Sequence, residues 1–240
     1  MTTPPTSRSW DRETLPEGAE KQQAVREMFD AIAPRYDMVN RIMTFRLDVR
    51  WRRKTVQALA LPSGSTVIDL ASGTGDLCVD LRSAAYVPIS IDLSYGMLAA
   101  DRSGAPRMQA DILRLPIPDS AVDGVTCGFA LRNLLELPTF FADIARVTRP
   151  GGRIALVDVG VPKSKVLRFG NNIYFGKVVP KIGALLSDGA AYRYLPRSVA
   201  YLPEPTEMVA MLRDAGFADA EHRYLSGGLT QQLIGTRDGL

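Results

Sequence analysis

The sequence is poor in the residues that build metal centres and disulfide frameworks. Its 240 residues include two cysteines, Cys78 and Cys127, which lie far apart and form no C-x-x-C pair, and one histidine, His222. Neither a zinc or other metal site nor a disulfide scaffold is expected, and a reducing, cytoplasmic compartment is favoured. His222 falls on a predicted late strand, where a packing or surface role is favoured over that of a general base.

Strong charge and long apolar runs are also missing. The formal net charge is +3, which is too close to balance for a dedicated nucleic-acid-binding protein. No run of about 18 apolar residues occurs, so no transmembrane helix is predicted. The first twenty residues are polar and contain prolines without the apolar core of a secretory signal. We expect residues 1–20 to be a disordered tail and residues 21–240 to form a single domain.

The chain does contain a regular alternation of strand and helix patterns. Apolar runs predict strands separated by helices, at 66–71, 87–93, 107–111, 122–129 and 153–160. Two closing strands are predicted near 219–225 and 229–237. This order predicts an α/β fold, a Rossmann-like, seven-stranded, mostly parallel sheet with helices on both faces.

Two further segments lie outside this alternation. Helical patterns precede the first strand, and Pro34 should break them into two pieces, which together form an N-terminal helical extension. Between residues 161 and 203 the alternation lapses after strand five. We predict that this segment is a helical insertion that covers the substrate, because long insertions between sheet elements often have such a role.

The stretch VIDLASGTGD, residues 67–76, places a glycine turn directly after the first strand. In a doubly wound sheet, ligands bind at the carboxyl ends of the strands, where glycines let the backbone approach them. The dinucleotide pattern needs a third glycine or alanine, but Cys78 stands there, and no Gly-Lys-Ser/Thr follows for a P-loop. Asp69 and Asp76 flank the turn and would repel a pyrophosphate. The pattern therefore favours a cationic ligand such as S-adenosylmethionine over NAD.

Acidic residues also follow the next two strands. Asp92 ends the second strand, where a carboxylate can accept hydrogen bonds from both hydroxyls of a ribose. Asp111 and Ile112 follow the third strand, where the carboxylate and a backbone amide can hold an adenine. An NAD(P)-dependent oxidoreductase shares the Asp92 arrangement, and a solvated loop acid would look like Asp111. These residues alone leave an oxidoreductase or a non-catalytic binding module as alternatives.

Taken in order, the motifs VIDLASGTGD, IDLS, QADILRLPIPD, VDGVTCGFALRNL and RPGGRIALVD resemble those of class I S-adenosylmethionine-dependent methyltransferases. The more specific segments RYDMVNRIMT, FALRNL and AYRYLPRSV resemble the ubiquinone/menaquinone biosynthesis C-methyltransferases, including demethylmenaquinone methyltransferases. The resemblance covers about Val25 to Phe217. It implies C-methylation of the ring of a reduced isoprenoid quinone precursor, with demethylmenaquinol as the first choice. Departures at Gly128 and Ala130 keep another phenolic or polyketide acceptor as an alternative.

The motifs and the resemblance together identify the candidate site residues. Those for cofactor binding are Asp69, Gly73, Thr74, Gly75, Asp92, Asp111, Ile112 and Gly128. Gly128 stands where the family has a serine, so only a backbone contact is expected there. On the acceptor side, the resemblance implies that Arg132 orients or stabilises a phenolate, since a nearby cation favours the anion. It also implies Asp158 as a candidate base, Tyr36 closing over the cofactor, and a role for Tyr194.

The acceptor that the resemblance implies also raises the question of contact with a membrane. Its isoprenoid tail lies in a bilayer, whereas this chain shows no membrane span. Basic and apolar residues occur together in KSKVLRFG, YFGKVV and KIGALL, a composition typical of segments at an anionic membrane surface. A packed interior helix would explain the same composition equally well. We therefore expect an isoprenoid quinol as substrate and peripheral contact with the inner face of the cell membrane. A homodimer stays open.

Overall fold

A seven-stranded sheet with the strand order β3-β2-β1-β4-β5-β7-β6 forms the centre of the protein. The computed structural model describes residues 18–174, 179 and 198–239. The strands are β1 Thr66–Leu70, β2 Val87–Asp92, β3 Arg107–Gln109, β4 Val122–Gly128, β5 Thr148–Val159, β6 Glu221–Leu225 and β7 Thr230–Thr236. Strands β1 to β5 pair in parallel, and β7 pairs antiparallel with both β5 and β6. The predicted mostly parallel, Rossmann-like sheet is confirmed.

Helices precede the sheet and connect its strands. Their bounds are α1 Gly18–Ile32, α2 Tyr36–Met43, α3 Leu47–Leu59, α4 Asp76–Ser83, α5 Tyr95–Ala100, α6 Leu137–Val147, α7 Lys165–Ile173 and α8 Pro205–Asp214. Ser94 caps α5, because its hydroxyl accepts a hydrogen bond from the Met97 amide at 3.0 Å. No helix in the described parts of the chain has both the length and the apolar character needed to cross a bilayer.

The N-terminal helices pack as a layer over one end of the sheet. Pro34 lies in a 3-10 turn, Ala33–Arg35, that separates α1 from α2, as expected for a residue without an amide hydrogen. Met28, Ile32, Val39 and Met43 from this layer form a hydrophobic cluster with Met97 of α5. Because α5 follows the carboxyl end of β2, this cluster holds the extension over the edge where the turns after β1 and β2 lie.

Some predicted boundaries differ from the structure. Strand β5 begins at Thr148 rather than residue 153, because Thr148 pairs with Val122 ahead of a bulge. Gly152 allows this close pairing, since a Cβ there would lie 2.7 Å from the Asp123 carbonyl oxygen. Helix α1 begins at Gly18, before the predicted domain start at residue 21, and most of the predicted tail lies outside the described residues. Only parts of the predicted insertion 161–203 are described, and Tyr194 lies outside them.

The tight contact at Gly152 implies that a larger residue at this position will destabilise the protein. Gly152→Ala should lower the free energy of unfolding by about 2 kcal/mol or more, because the added Cβ would clash with the Thr148 methyl group and with the carbonyl oxygens of Asp123 and Arg149, which cannot rotate away. Gly151→Ala is the matched control. Its φ is +77°, but a Cβ added there would meet nothing within 4 Å, so only about 1 kcal/mol should be lost. Urea unfolding of both variants measures the difference, and equal losses would contradict the close-contact explanation.

Candidate functional site

The turn between β1 and α4 has a backbone that requires glycine. Gly73 and Gly75 have φ of +57° and +84°. A Cβ on Gly75 would lie 2.3 Å from Oδ1 of Asp101. Asp101 is itself fixed, since its carboxylate accepts hydrogen bonds from the Ser90 hydroxyl at 2.7 Å and the Ser103 amide at 2.6 Å. The turn therefore packs closely on a rigid support, and its amides remain at the carboxyl edge of the sheet.

Asp92 connects this turn with the loop that follows β2. Its Oδ2 accepts a hydrogen bond from the Gly73 amide and its Oδ1 from the Ser94 amide, both at 2.8 Å. The residue is 9% exposed, and burial raises the pKa of its carboxyl despite these hydrogen bonds. Each carboxylate oxygen retains a second acceptor site. Asp92 can therefore hold the turn and still accept a hydrogen bond from a ligand hydroxyl.

Two acids of the N-terminal layer attach to the same two turns. Asp37 of α2 accepts a hydrogen bond from the Thr74 hydroxyl. Asp30 of α1 accepts hydrogen bonds from the Ser94 hydroxyl and from the Gly96 amide, the latter at 2.8 Å. Both contacts close the layer over the carboxyl edge of the sheet, so the space beneath it has a roof.

A first cavity of about 120 Å³ lies under this roof. It brings together five of the predicted cofactor residues, which are Gly73, Asp92, Asp111, Ile112 and Gly128. Phe29 and Tyr36 of the N-terminal layer cover it. Asp111 accepts a hydrogen bond from the Leu113 amide at 2.9 Å, which fixes the loop after β3. The cavity has the position expected for an adenosine at the switch point of the sheet.

A second cavity, of about 410 Å³, adjoins the first. Its wall includes Asp69 and Thr74, and the two cavities share Tyr36, Ala71, Gly73, Gly128 and Phe129. Its polar lining comes from side chains of α2, α3 and the glycine turn. Its apolar lining comes from residues far apart in the chain, Phe45, Trp51, Val166, Leu167, Tyr174 and Leu229. Gly75 and Asp158, both predicted as site residues, line neither cavity.

The acids that flank the turn are not free charges, contrary to the sequence argument. Asp69 is fully buried and accepts hydrogen bonds from the Thr126 hydroxyl at 2.8 Å and the Cys78 thiol at 3.7 Å. Burial raises the pKa of its carboxyl to about 7. Asp76 pairs with Arg41 at 2.9 Å and Arg52 at 3.0 Å. The predicted repulsion of a pyrophosphate by Asp69 and Asp76 is therefore weakened, because burial favours the neutral form of Asp69 and two arginines offset the charge of Asp76.

Arg132 and Asp158 form a buried ion pair beside the second cavity. Arg132 is 3% exposed and lines that cavity, and its guanidinium contacts the Asp158 carboxylate. The Arg132 amide also donates to Asp158 at 3.1 Å, and Nε donates to the Ser198 hydroxyl at 3.2 Å. Asp158 accepts a further hydrogen bond from the Val159 amide at 2.7 Å. With its oxygens occupied and its side chain off the cavity wall, Asp158 is poorly placed to act as the predicted base.

Tyr36 lies where the two cavities meet. Its ring packs edge-to-face on Phe29, with 5.8 Å between centroids, and its hydroxyl is hydrogen-bonded to Asn40. Burial raises the pKa of the phenol, so Tyr36 is a hydrogen-bond donor and not a base at neutral pH.

Sequence reasoning did not identify Trp51 and Phe129 as site residues. Their rings are in contact, with centroids 6.2 Å apart, and both line the second cavity. The Trp51 indole nitrogen donates to the Ser226 hydroxyl at 2.8 Å, across 175 positions of sequence. No local pattern could have shown this contact, because the three residues come together only in the tertiary structure.

Because the pKa of Asp69 is raised, the stability of the fold should depend on pH. The folded protein holds a proton up to about pH 7 that the unfolded chain releases near the ordinary value of 3.8. The free energy of unfolding contributed by this group should therefore fall as pH rises from about 4 to 7. Asp69→Asn should flatten that part of the profile relative to the unmutated protein. Urea unfolding at several pH values measures it, and parallel profiles would contradict the assignment.

Sequence comparisons with known proteins find methyltransferases that match nearly the whole chain. Residues 17–237 match the model of the ubiE/COQ5 methyltransferase family. The chain is 38% identical over 228 residues to a demethylmenaquinone methyltransferase of Deinococcus radiodurans, covering 91% of this chain and 94% of that protein. It is 35% identical to the ubiquinone/menaquinone biosynthesis C-methyltransferase UbiE of Geobacter sulfurreducens, covering 91% and 90%.

Solved structures are similar in fold at low sequence identity. A putative methyltransferase of Haloferax volcanii, solved in complex with the Trm112 activator, has a TM-score of 0.62 at 17% identity, covering 88% of this chain and 98% of that one. A methyltransferase of Thermotoga maritima, described as S-adenosylmethionine-dependent, has a TM-score of 0.57 at 18% identity, covering 88% and 100%.

Proposed function

The chain belongs to the ubiE/COQ5 methyltransferase family and is an S-adenosylmethionine-dependent methyltransferase, and we propose that it methylates a ring carbon of a reduced isoprenoid quinone. The preferred acceptor is demethylmenaquinol, which would become menaquinol. The relative from Deinococcus radiodurans carries the name of this activity, and the identity extends over nearly the whole of both chains.

The residues present fit S-adenosylmethionine. Asp92, Asp111 and Ile112 line the first cavity and would hold the adenosine, and Thr74 lines the second beside the shared glycine turn. The close packing of Gly75 on Asp101 keeps the turn in a form whose backbone can approach a ligand. When bound, the cofactor supplies an electrophilic methyl group on a sulfonium centre.

The main support for a quinol as the acceptor is the apolar lining of the second cavity. Its volume of about 410 Å³ is in the range of small-molecule sites, and it meets the first cavity at Tyr36, Gly128 and Phe129. Trp51 and Phe129 provide aromatic surface there, and Val166 and Leu167 continue the apolar wall along α7. An apolar wall excludes water from a bound ring and suits an acceptor that carries a hydrocarbon tail.

Within this cavity, we assign roles to Arg132, Asp158 and Tyr36. A phenolate makes the ring of a quinol more electron-rich, and the guanidinium of Arg132 stabilises such an anion. Asp158 and Ser198 hold Arg132 in place, so Asp158 acts as a positioning residue. Tyr36 roofs the passage between the cavities and can donate a hydrogen bond. The phenolic proton and the ring proton leave to water at the open mouth of the second cavity.

A labelling experiment tests the acceptor. The protein is incubated with methyl-labelled S-adenosylmethionine and a short-tailed reduced demethylmenaquinone, and we expect label in the quinone. Arg132→Lys keeps a cation beside Asp158 but loses the planar donor pair, and should lower kcat by roughly 10- to 100-fold. Arg149→Lys, at a surface pair with Asp123, is the matched control and should be unchanged. Label in another phenol but not in the quinone would contradict the proposed acceptor.

We also propose that the enzyme works at a membrane surface, through an apolar patch beside the second cavity. The patch consists of Phe45, Val166, Phe169 and Ile173, whose exposures are 74%, 80%, 69% and 41%. Phe45 and Val166 also line the cavity, so the cavity opens at the patch. Lys163, Lys165 and Arg168 lie beside it on or just before α7, and α7 contains no acid. Such a surface suits an anionic bilayer, from which a tailed quinol could enter.

Vesicle binding tests the patch. The protein should sediment with vesicles that contain phosphatidylglycerol and much less with phosphatidylcholine alone. Val166→Asp with Phe169→Asp should abolish sedimentation, because two charges would enter the bilayer interface. Val87→Asp places one charge at a 50% exposed valine at the start of β2 and should have no effect. If the double variant instead converts a dimer to a monomer and vesicle binding is unchanged, the patch is a subunit interface and the proposal is wrong.

A further inference from the structure

Phe129 has an unusual backbone at the point where the cavities meet. It follows β4 directly and has a φ of +61°, in the left-handed region. Bulky L-residues rarely adopt this conformation, and when they do the surrounding structure holds them there, often at functional sites. Phe129 also lines both cavities. Contacts with neighbouring elements must therefore stabilise this backbone conformation.

Two direct contacts and one indirect contact hold the residue in place. The Phe129 amide donates a hydrogen bond to the Val157 carbonyl oxygen on β5 at 2.7 Å. Its ring lies against Trp51 of α3, at an interplanar angle of 53°. Trp51 is fixed in turn by its hydrogen bond to Ser226, in the turn between β6 and β7. The position of the Phe129 ring is thus set by the sheet and by two elements distant in sequence.

Few side chains are available in the passage between the cavities. The residues that line both are Tyr36, Ala71, Gly73, Gly128 and Phe129. Ala71 and the two glycines offer little more than backbone, so among these residues aromatic surface comes only from the two rings. The ring of Tyr36 packs against Phe29 in the roof. Phe129, which belongs to the rigid sheet, provides the opposing surface.

Resting on the proposed function, we infer that Phe129 is the stacking residue for the acceptor ring. A planar quinol entering from the second cavity lies on the Phe129 ring, which sets the distance and tilt of the ring carbon at the passage. Offset aromatic stacking provides the attraction, and orientation of the reacting carbon provides the gain in rate. The same contact selects flat aromatic acceptors over aliphatic ones of equal size.

Quenching of Trp51 fluorescence tests this inference without any need for turnover. The sequence has two tryptophans, Trp10 and Trp51, so a Trp10→Phe background leaves Trp51 as the only one. The probe is 1,4-naphthoquinone, which should quench Trp51 as it binds beside Phe129. Phe129→Leu should weaken quinone binding by about tenfold, and Phe129→Tyr should bind like the unmutated protein. Affinity for S-adenosylmethionine, measured by calorimetry, should change less than about twofold in both.

A second variant separates stacking from backbone strain. Phe129→Gly relieves the left-handed conformation and removes the ring, so it should bind quinone at least as weakly as Phe129→Leu. Tyr224→Leu removes an aromatic ring on β6, away from both cavities, and should bind like the unmutated protein. Unchanged quinone affinity in Phe129→Leu would overturn the inference. So would equal losses of quinone and cofactor affinity, since these would indicate a purely structural role.

Measuring methyl transfer by the same variants distinguishes failure of the stacking role of Phe129 from failure of the proposed acceptor. If the unmutated protein binds naphthoquinone through Phe129 but labels no reduced quinone, the proposed acceptor fails and the stacking role stands. If it labels the quinone at the same rate with and without the Phe129 ring, the stacking role fails and the proposed function stands.

Discussion

The carboxylate of Asp92 joins the two turns that lie at the base of the first cavity. By accepting one amide from the turn after β1 and one from the loop after β2, it fixes the carboxyl ends of two parallel strands relative to each other. Asp37 and Asp30 then bind the hydroxyls of Thr74 and Ser94 in the same two turns. The N-terminal layer is therefore attached to the turns after β1 and β2, and the roof and floor of the first cavity form one hydrogen-bonded unit.

The buried arginines of the site are paired with carboxylates. Arg52 pairs with Asp48 at 2.7 Å and with Asp76 at 3.0 Å in the lining of the second cavity, and Arg132 on the wall of the same cavity pairs with Asp158. Removing one member of such a pair leaves the other charge uncompensated and costs more than the pair itself contributes. These residues are thus constrained by electrostatics as well as by chemistry. This is why a variant that keeps the charge of Arg132 is more informative than one that deletes it.

The second cavity combines elements that differ in origin. Its aromatic wall comes from α3 and the end of β4, and its outer wall comes from α7, which also carries the exposed apolar patch. A single helix thus lines the second cavity and also carries most of the exposed patch. An acceptor with a hydrocarbon tail could leave its tail among these side chains while its ring reaches the passage, so the proposed substrate and the proposed membrane surface support each other physically.

Much of the fold and half of the site follow from local patterns. The mostly parallel sheet was predictable because short apolar runs alternate with helices, and such crossovers join parallel strands. That Gly73, Asp92, Asp111 and Ile112 line one cavity was predictable, because strand ends in such a sheet meet at one edge. Strand β5 was misjudged at its start, since residues 148–152 pair only through a bulge and a glycine contact with β4. The ion pairs of Asp76 and Asp158 were not foreseen, because they join residues that no local pattern connects.

The sheet, the glycine turn, the acids at the strand ends and the family resemblance can all be recognised in the sequence, because each depends on residues close together in the chain. The tertiary structure is needed to show which acids are neutralised, how the N-terminal layer attaches to the turns after β1 and β2, and which side chains lie in the passage. These depend on contacts such as Trp51 with Ser226 and Arg132 with Ser198. Burial and pairing set the charge and orientation of a side chain, and both are properties of its surroundings in space and not of its neighbours in sequence.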